Sequence, residues 1–459
     1  MSDLALFLLA LAVVWLAGAS LLSLLGLRRR CWPLAYIQPA VDFAIGGFLL
    51  ATIWVVAALV GAGVSRWVVY AVAGALAASA AVTGWRRRGR GRPAEQAPPM
   101  PRSHLALTVA LLVLLAVATI GAGDLSFRTR AFWDGRYIWG FKAKAMYLDG
   151  KVNKQTFTSA ARYLYMAPHH PIGLPALEAW VYQNLGRVDE RYGKLIGIAY
   201  WLGIAAALAA YLRRRTCWPI ALAVSLLVAQ APQMVYHAGS GAADVPLAFC
   251  FLAAGLVLGD WFERGRREDG VMAALLLGSA GTIKPEAMTM CLGAGVVFCM
   301  GWWRGGERRW TQLALPLLCL ALPWLPWLAL RWQWGMATVQ GPQMAVKGWE
   351  EMVPRLVAVW GSLSAQVGVW PTWEVCWGFI ALGLAAHLAC RPRQAATSVL
   401  WALALWQSGA YVTVYLLSVH YIYWTLASSL DRLLIHLMPL ALAAACGSLM
   451  RERGQRRPW

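Results

Sequence analysis

The stretch 4–25, LALFLLALAVVWLAGASLLSLL, decides the fold class, because it contains no charged side chain. About 20 apolar residues in a helix suffice to cross the roughly 30 Å of hydrocarbon in a bilayer. Further apolar windows follow at 37–60, 67–84, 105–121, 192–212, 217–232, 245–261, 271–303, 313–330, 376–390, 396–419 and 433–449. The sequence therefore predicts an all-α polytopic membrane protein.

The window 271–303 is too long for one membrane span, and the charged sequence Lys284-Pro285-Glu286 interrupts it. Proline removes a backbone donor, and charges at membrane depth are costly. We expect two short helices that meet at a polar break. With this pair, the windows predict about 13 transmembrane helices.

The composition agrees with a membrane location. Of 459 residues, 60% are hydrophobic and only 14% are charged, which exceeds what a soluble core could bury. The net charge of +20 does not predict nucleic-acid binding, because the basic residues punctuate the helices instead of forming one basic face. Arginine clusters recur at 28–30, 86–92, 213–215, 264–267, 308–309, 391–393 and 451–457. Placing them in the cytoplasm satisfies the positive-inside rule and predicts an outside N-terminus and an inside C-terminus.

This topology divides the chain. Residues 1–85 form a predicted N-terminal three-helix accessory bundle, and 86–104 form a basic, proline-rich cytoplasmic linker. Residues 105–449 form the main membrane domain, and 450–459 form a basic cytoplasmic tail. The main domain includes a large outer loop at 122–191 and a second outer segment at 332–372. The loop is longer than a connection requires, which favours a function for it.

No metal or cofactor is expected from the sequence. The nine cysteines lie in or beside predicted helices, so a disulfide framework is not predicted. No cysteine or histidine spacing typical of zinc occurs, and the adjacent pair His169-His170 is poorly arranged to share one metal ion.

The outer loop alternates aromatic and basic side chains around one acid, in FWDGRYIWGFKAK at 132–144. At helical spacing, Trp133, Tyr137 and Phe141 share one face, whereas Arg136 and Lys144 lie off it. This pattern predicts a helix in the membrane interface, with its rings at headgroup depth. An aromatic belt without further function would give the same pattern.

Asp134 stands within this aromatic segment. A carboxylate beside rings at the membrane surface could act as a general base on a sugar hydroxyl. The alternative is an ordinary ion pair with Arg136 or Arg130.

The polar break carries the second candidate constellation. Lys284 could hold a lipid phosphate, or it could simply pair with Glu286 at the proline kink. A weaker candidate is Asp244, which directly precedes the apolar window 245–261 and could equally be a helix cap.

The last constellation opens the final helix, after a predicted outer turn at 420–431. Arg432 and His436 are four residues apart on one helical face, and an arginine fork there could clamp a phosphate. Alternatively, Arg432 extends to the lipid headgroups and pairs with Asp431.

Taken together, these motifs resemble the GT-C superfamily of membrane glycosyltransferases. The resemblance rests on Trp133-Asp134, Lys142-Ala143-Lys144, His170-Pro171, the turn at Asp244, the break at 282–286 and the segment 429–439. It covers roughly 121–449 and is closest to the bacterial protein O-mannosyltransferase and aminoarabinose-transferase group. Unlike the common family pattern, the chain has no adjacent Asp-Glu pair near Asp124 or Asp134, where the first large outer loop follows its helix, and three helices precede that helix.

The resemblance implies a catalytic base early in the outer loop, at Asp124 or Asp134; we prefer Asp134 because of its tryptophan neighbour. It also implies cations for the donor phosphate, at Arg432 and Lys284, with Lys142 and Lys144 in reserve. The implied substrate contacts are Trp133, Trp139, His169, His170, Asp244, Glu286 and His436.

The expected function is that of an inverting glycosyltransferase in the bacterial inner membrane, with its active site facing the periplasm. The donor would be a polyprenyl-phosphate-linked sugar, and the acceptor a hydroxyl of an envelope glycan, a lipopolysaccharide or a secreted protein. Membrane lipids are expected partners and nucleic acid is not. A surface-glycan polymerase or ligase, or a lipid flippase or transporter, remains the alternative.

Overall fold

The computed structural model describes residues 2–28, 36–86, 101–158, 166–304, 310–336, 344–373, 375–390 and 394–450. Over these residues the chain is helical, and the only β-type pairing is one antiparallel bridge between Met344 and Ser418. Most of the predicted linker, at 87–100, and the tail at 451–459 lie outside the described residues.

Ten helices and one π-helical segment make up the first half of the described chain. They are α1 (Asp3–Leu24), α2 (Gln38–Leu59), α3 (Arg66–Arg86), α4 (Arg102–Arg128), the π-helix (Gly135–Gly140), α5 (Phe141–Asp149), α6 (Lys154–Thr158), α7 (Gly173–Leu185), α8 (Glu190–Arg213), α9 (Trp218–Gln230) and α10 (Pro232–Ala238).

The second half contains ten further α-helices. They are α11 (Asp244–Arg264), α12 (Arg267–Ala280), α13 (Ala287–Arg304), α14 (Trp310–Ala321), α15 (Leu325–Trp334), α16 (Trp349–Val367), α17 (Trp370–Trp373), α18 (Cys376–Ala389), α19 (Ala395–Leu417) and α20 (Ile422–Leu449).

Within the described chain, nine helical segments are long and apolar enough to cross a membrane. They are α1, α2, α3, α4, α8, α11, the α14–α15 segment, α19 and α20. A tenth is added if the bent pair α9–α10 counts as one span. These helices confirm the predicted class, an all-α polytopic membrane protein.

The predicted polar break in the window 271–303 is confirmed, because α12 ends at Ala280 and α13 begins at Ala287. A second break was not predicted. The window 217–232 bends by 69° where α9 meets α10. Ala231 there has an extended ψ of 122°, as expected for a residue before a proline, and Pro232 begins the new helix.

The predicted outer turn at 420–431 is wrong for most of its length, because α20 begins at Ile422. Its hydroxyl side chains bond within the helix: Ser429 Oγ, for example, donates to the Thr425 carbonyl at 2.7 Å. As a consequence, Arg432 and His436 lie well inside α20 instead of at its first turn.

The aromatic segment of the predicted outer loop is helical from Trp133 onward, as its aromatic periodicity predicts. Trp133 and Tyr137 are exposed, and their ring centroids are 5.2 Å apart. The π-helix Gly135–Gly140 begins two residues after Trp133 and includes Tyr137. Its first residue, Gly135, allows close approach to the α10–α11 turn. A Cβ at Gly135 would lie 2.4 Å from the Ser240 carbonyl oxygen. This contact fixes the preceding residue, Asp134, against the start of α11.

The helices define two ends of the bundle. We call the end that carries 129–158, 166–189 and 281–286 the loop end, and the end that carries Arg213, Arg264 and Arg304 the arginine end. The predicted accessory helices are packed into the assembly: α1 packs on α2 and α3, and α2 contacts α7, α12 and α15. At the loop end, Arg187 Nη2 pairs with Asp3 Oδ2 at 2.5 Å.

Candidate functional site

A fully buried carboxylate, Asp244, is the centre of the loop-end cluster. Its Oδ1 accepts a hydrogen bond from Lys284 Nζ at 2.8 Å and lies 2.9 Å from His436 Nε2. Its Oδ2 accepts from Arg432 Nε at 3.1 Å. These three partners come from the α12–α13 break and from α20. Since each buried charge is costly unless it is paired, Asp244 holds the two cations in place.

Arg432 connects this centre to the outer loop. Its Nη1 lies 2.5 Å from Asp134 Oδ2, and its guanidinium carbon lies 5.6 Å from the centre of the Phe132 ring. The side chain of Asp134 is 17% exposed, whereas that of Asp244 is not exposed at all. Asp134 is therefore a carboxylate of the cluster that an external hydroxyl group can reach.

Lys284 also pairs with a second carboxylate, because its Nζ lies 3.1 Å from Glu286 Oε1. The structural ion pair considered for this break is thus present, but Lys284 also binds Asp244. Glu286 Oε2 is buried and has no hydrogen-bond partner among the described residues. The break therefore offers an unused acceptor beside a cation.

Several cluster residues were not predicted. Asp431 Oδ2 accepts from Gln233 Nε2 at 2.5 Å and lies 3.7 Å from His237 Nε2. Tyr411 Oη lies 2.8 Å from His436 Nδ1. One sequence pattern could have indicated Gln233 and His237. They are four residues apart, and they follow a proline that begins a helix.

The side chain of Lys142 stabilises the turn that contains His169 and His170. The Lys142 ammonium donates to the carbonyls of Ala167, at 2.9 Å, and His170, at 2.7 Å. Burial holds the pKa of Lys142 well below its ordinary value of 10.5. Ala167 has a φ of 47°, a left-handed conformation that these contacts stabilise, and Trp139 packs edge-on against His170.

This turn is tied to the polar break. Gly173 N donates to the Thr282 carbonyl at 2.7 Å, and a Cβ at Gly173 would lie 2.4 Å from that oxygen. His169 is partly buried, and burial together with the nearby cations Lys142 and Arg331 lowers its pKa from 6.5 to about 4. The imidazole of His169 is therefore neutral at physiological pH.

Three predicted candidates lie apart from the cluster. Asp124 is in the last turn of α4, half exposed, and pairs with Arg128 at 2.7 Å. Lys144 pairs with Glu190, and Trp133 is 48% exposed. In contrast, the cluster unites six predicted residues from four distant segments: Asp134, Asp244, Lys284, Glu286, Arg432 and His436.

The pairings decide between several sequence alternatives. Asp134 pairs with Arg432 instead of the neighbouring Arg136 or Arg130. The guanidinium of Arg432 turns toward Asp244, and only its backbone N–H donates to Asp431. The side chain of Asp244 binds the cations instead of capping its helix.

The cluster can bind an anion and accept a proton. Arg432 and Lys284 are cations fixed by one buried carboxylate, and Asp134 is a carboxylate with access to solvent. Within the described ranges, no group of three or more His, Cys, Asp or Glu side chains is arranged to hold a metal ion. A scan against protein-family models, a search of curated proteins and a search of solved structures each find no match to this chain.

Proposed function

We propose that the chain is an inverting glycosyltransferase of the GT-C type, which transfers a sugar from a polyprenyl-phosphate carrier to an acceptor hydroxyl. One observation carries the proposal: a solvent-accessible carboxylate, Asp134, is paired with a cation, Arg432, that belongs to a buried cluster between membrane helices. Intramembrane charges are costly, and their presence favours a functional site.

The proposed GT-C architecture has about 13 membrane spans. The nine long helices account for most of them. The others would be the bent pair α9–α10 and the shorter helices α12, α13 and α18. We further propose that the loop end faces the periplasm and that the membrane is the bacterial inner membrane, which agrees with the positive-inside rule.

Donor binding would release the catalytic base. The donor phosphate competes with Asp134 for Arg432, since an arginine fork binds phosphate and carboxylate alike. Asp134, freed from this ion pair, then takes the proton of the acceptor hydroxyl. The acceptor oxygen forms a bond to the anomeric carbon, and the bond from that carbon to the phosphate oxygen breaks, leaving its electron pair on the phosphate.

The leaving phosphate gains charge in this step. Arg432 and Lys284 would stabilise that charge without moving, because Asp244 fixes both of them before the substrate arrives. Asp244 thus acts as a positioning residue, while Asp134 acts on the acceptor.

A transfer assay tests the proposal. The purified protein in nanodiscs is mixed with undecaprenyl-phosphate sugars and extracted envelope acceptors, with and without a chelator, and sugar transfer is followed by mass spectrometry. Transfer from at least one lipid donor is expected. The absence of transfer from every donor would overturn the function.

The orientation is tested separately, by single cysteines in a cysteine-free background and an impermeant thiol reagent. A cysteine at position 150 should be labelled from the periplasm, and one at position 95 should not. The reverse pattern would overturn the orientation.

A transporter or lipid flippase remains a second candidate, and the bend at α9–α10 favours it. Transporters often build their sites from two broken helices, and here both breaks supply cluster residues, His237 and Lys284. In proteoliposomes, movement of the lipid donor across the membrane without sugar transfer would support this candidate.

A further inference from the structure

Three buried polar atoms near the cluster have no hydrogen-bond partner among the described residues. They are Nδ1 of His169, Oε2 of Glu286 and Nε of Arg331. Leaving such an atom unpaired is costly, so a group of them indicates a missing ligand or water. Neither the proposed base nor the proposed phosphate cations use these atoms.

The three residues are close in sequence to the lining of one small pocket between α2, α15 and the polar break. Pro171, Thr282 and Trp327 line the same small pocket, together with residues of α2. His169 stands two residues before Pro171, and Glu286 stands four residues after Thr282. Arg331 lies one helical turn beyond Trp327, toward the loop end. The electrostatic influence of both Arg331 and Glu286 on His169 agrees with this placement.

This small pocket is apolar. Its walls include Ala51, Val55, Ile172, Pro326 and Trp327. A site with polar groups at its loop-end rim and apolar walls on the membrane side suits an amphiphile. Glu286 also joins this rim to the phosphate site, because its other oxygen pairs with Lys284.

We propose that His169, Glu286 and Arg331 bind the hydroxyl groups of the donor's sugar, an inference that rests on the proposed function. Hydroxyls both donate and accept, and the three side chains provide both kinds of partner. Glu286 accepts, Arg331 donates, and a neutral imidazole at His169 can do either. A second phosphate fits less well, since the carboxylate of Glu286 would repel it.

The test compares two lipid probes in nanodiscs. We measure the Kd of undecaprenyl phosphate and of the same lipid carrying glucose, mannose, galactose or aminoarabinose. The wild type should bind at least one sugar-bearing lipid about tenfold to a hundredfold more tightly than the sugar-free lipid, as expected for hydrogen bonds to charged groups. His169→Phe, Glu286→Gln and Arg331→Gln should each reduce this ratio of Kd values toward one.

The ratio separates a sugar contact from loss of folding or of phosphate binding, because both of those change the two Kd values together. Arg304→Gln at the arginine end is the matched control and should keep the wild-type ratio. A ratio that stays unchanged in all three variants overturns the inference. Equal binding of all the lipids by the wild type also overturns the inference. In that case the proposed function still stands or falls by the transfer assay. A wild type that binds no polyprenyl phosphate contradicts the proposed function itself.

Discussion

Each end of the bundle buries a carboxylate that pairs with a cation from another part of the chain, 46 residues away at the arginine end and 40 at the loop end. The two ends differ in where the second cation comes from. At the arginine end, Asp260 Oδ1 lies 2.7 Å from Arg214 Nη1, and Asp260 Oδ2 lies 4.0 Å from Arg264, one turn along the same helix. At the loop end, Asp244 pairs with Lys284 and Arg432, which lie 40 and 188 residues away in sequence.

This difference teaches that a buried ion pair alone does not indicate a site. Both pairs offset the cost of burying charge, and the Asp260 pair joins the ends of two helices. At the loop end, the same cations pair with two further carboxylates, Asp134 and Glu286, and both of these are partly exposed. We therefore expect changes at the arginine end to affect stability, and changes at the loop end to affect function as well.

The largest effect is expected from Asp134→Asn. The substitution keeps the shape of the side chain but removes the base, so transfer should fall by about 10²–10⁴-fold. Donor binding should survive, because Arg432 and Lys284 remain. The measurement is the initial rate of sugar transfer at saturating lipid donor.

Asp124→Asn is the matched control, since Asp124 pairs with Arg128 on an exposed helix face. It should retain nearly normal transfer. If Asp124→Asn is inactive and Asp134→Asn is normal, our choice of base is wrong, and the catalytic carboxylate lies outside the cluster.

The two buried carboxylates can be compared directly. Asp244→Ala and Asp260→Ala each leave a cation without its buried partner, which typically destabilises a protein by about 3–5 kcal/mol. Both variants should therefore unfold at lower denaturant concentration in mild detergent. Among the folded molecules, only Asp244→Ala should also lose affinity for undecaprenyl phosphate. Equal donor affinity in the two variants would remove the distinction between the ends.

Arg432→Ala should have a smaller effect, on donor affinity. A charge-assisted contact to phosphate contributes roughly 1.5–3 kcal/mol, so the Kd for undecaprenyl phosphate should rise by about 10- to 150-fold. Arg432→Lys should restore only part of this loss, because an ammonium cannot reproduce the planar fork. Unchanged affinity in both variants would leave Arg432 with a purely structural role.

Much of the candidate cluster could be predicted from the sequence because charges in apolar segments are conspicuous. Lys284 is predicted on that physical ground, whereas Asp244 and Arg432 are candidates because they stand where predicted helices begin. Their pairing could not be predicted, since it depends on how helices distant in sequence pack. Tyr411 and His237 were missed because a tyrosine or histidine in an apolar helix resembles an ordinary core residue.

Local predictions failed where the backbone departs from regular spacing. Lys142 is buried, which an α-helical period through the outer loop does not predict. The π-helix at Gly135–Gly140 has an extra residue per turn, so the residues after it lie on a different helix face from the one that a regular α-helix would give. The turn predicted at 420–431 failed for the opposite reason. There, serine and threonine side chains bond to carbonyls of the preceding turn, so a polar segment remains helical.

The smallest expected effect concerns pH and the loop end alone. The pKa of His169 is lowered to about 4, first by burial and then by Lys142 and Arg331. Between pH 6.5 and 4 the unfolded chain therefore binds a proton that the folded chain does not, so stability falls as pH falls through this window. His169→Phe removes this titration, and its thermal midpoint should decline less steeply than that of the wild type. Exposed His420→Phe is the control; equal slopes in all three proteins would show that His169 titrates normally.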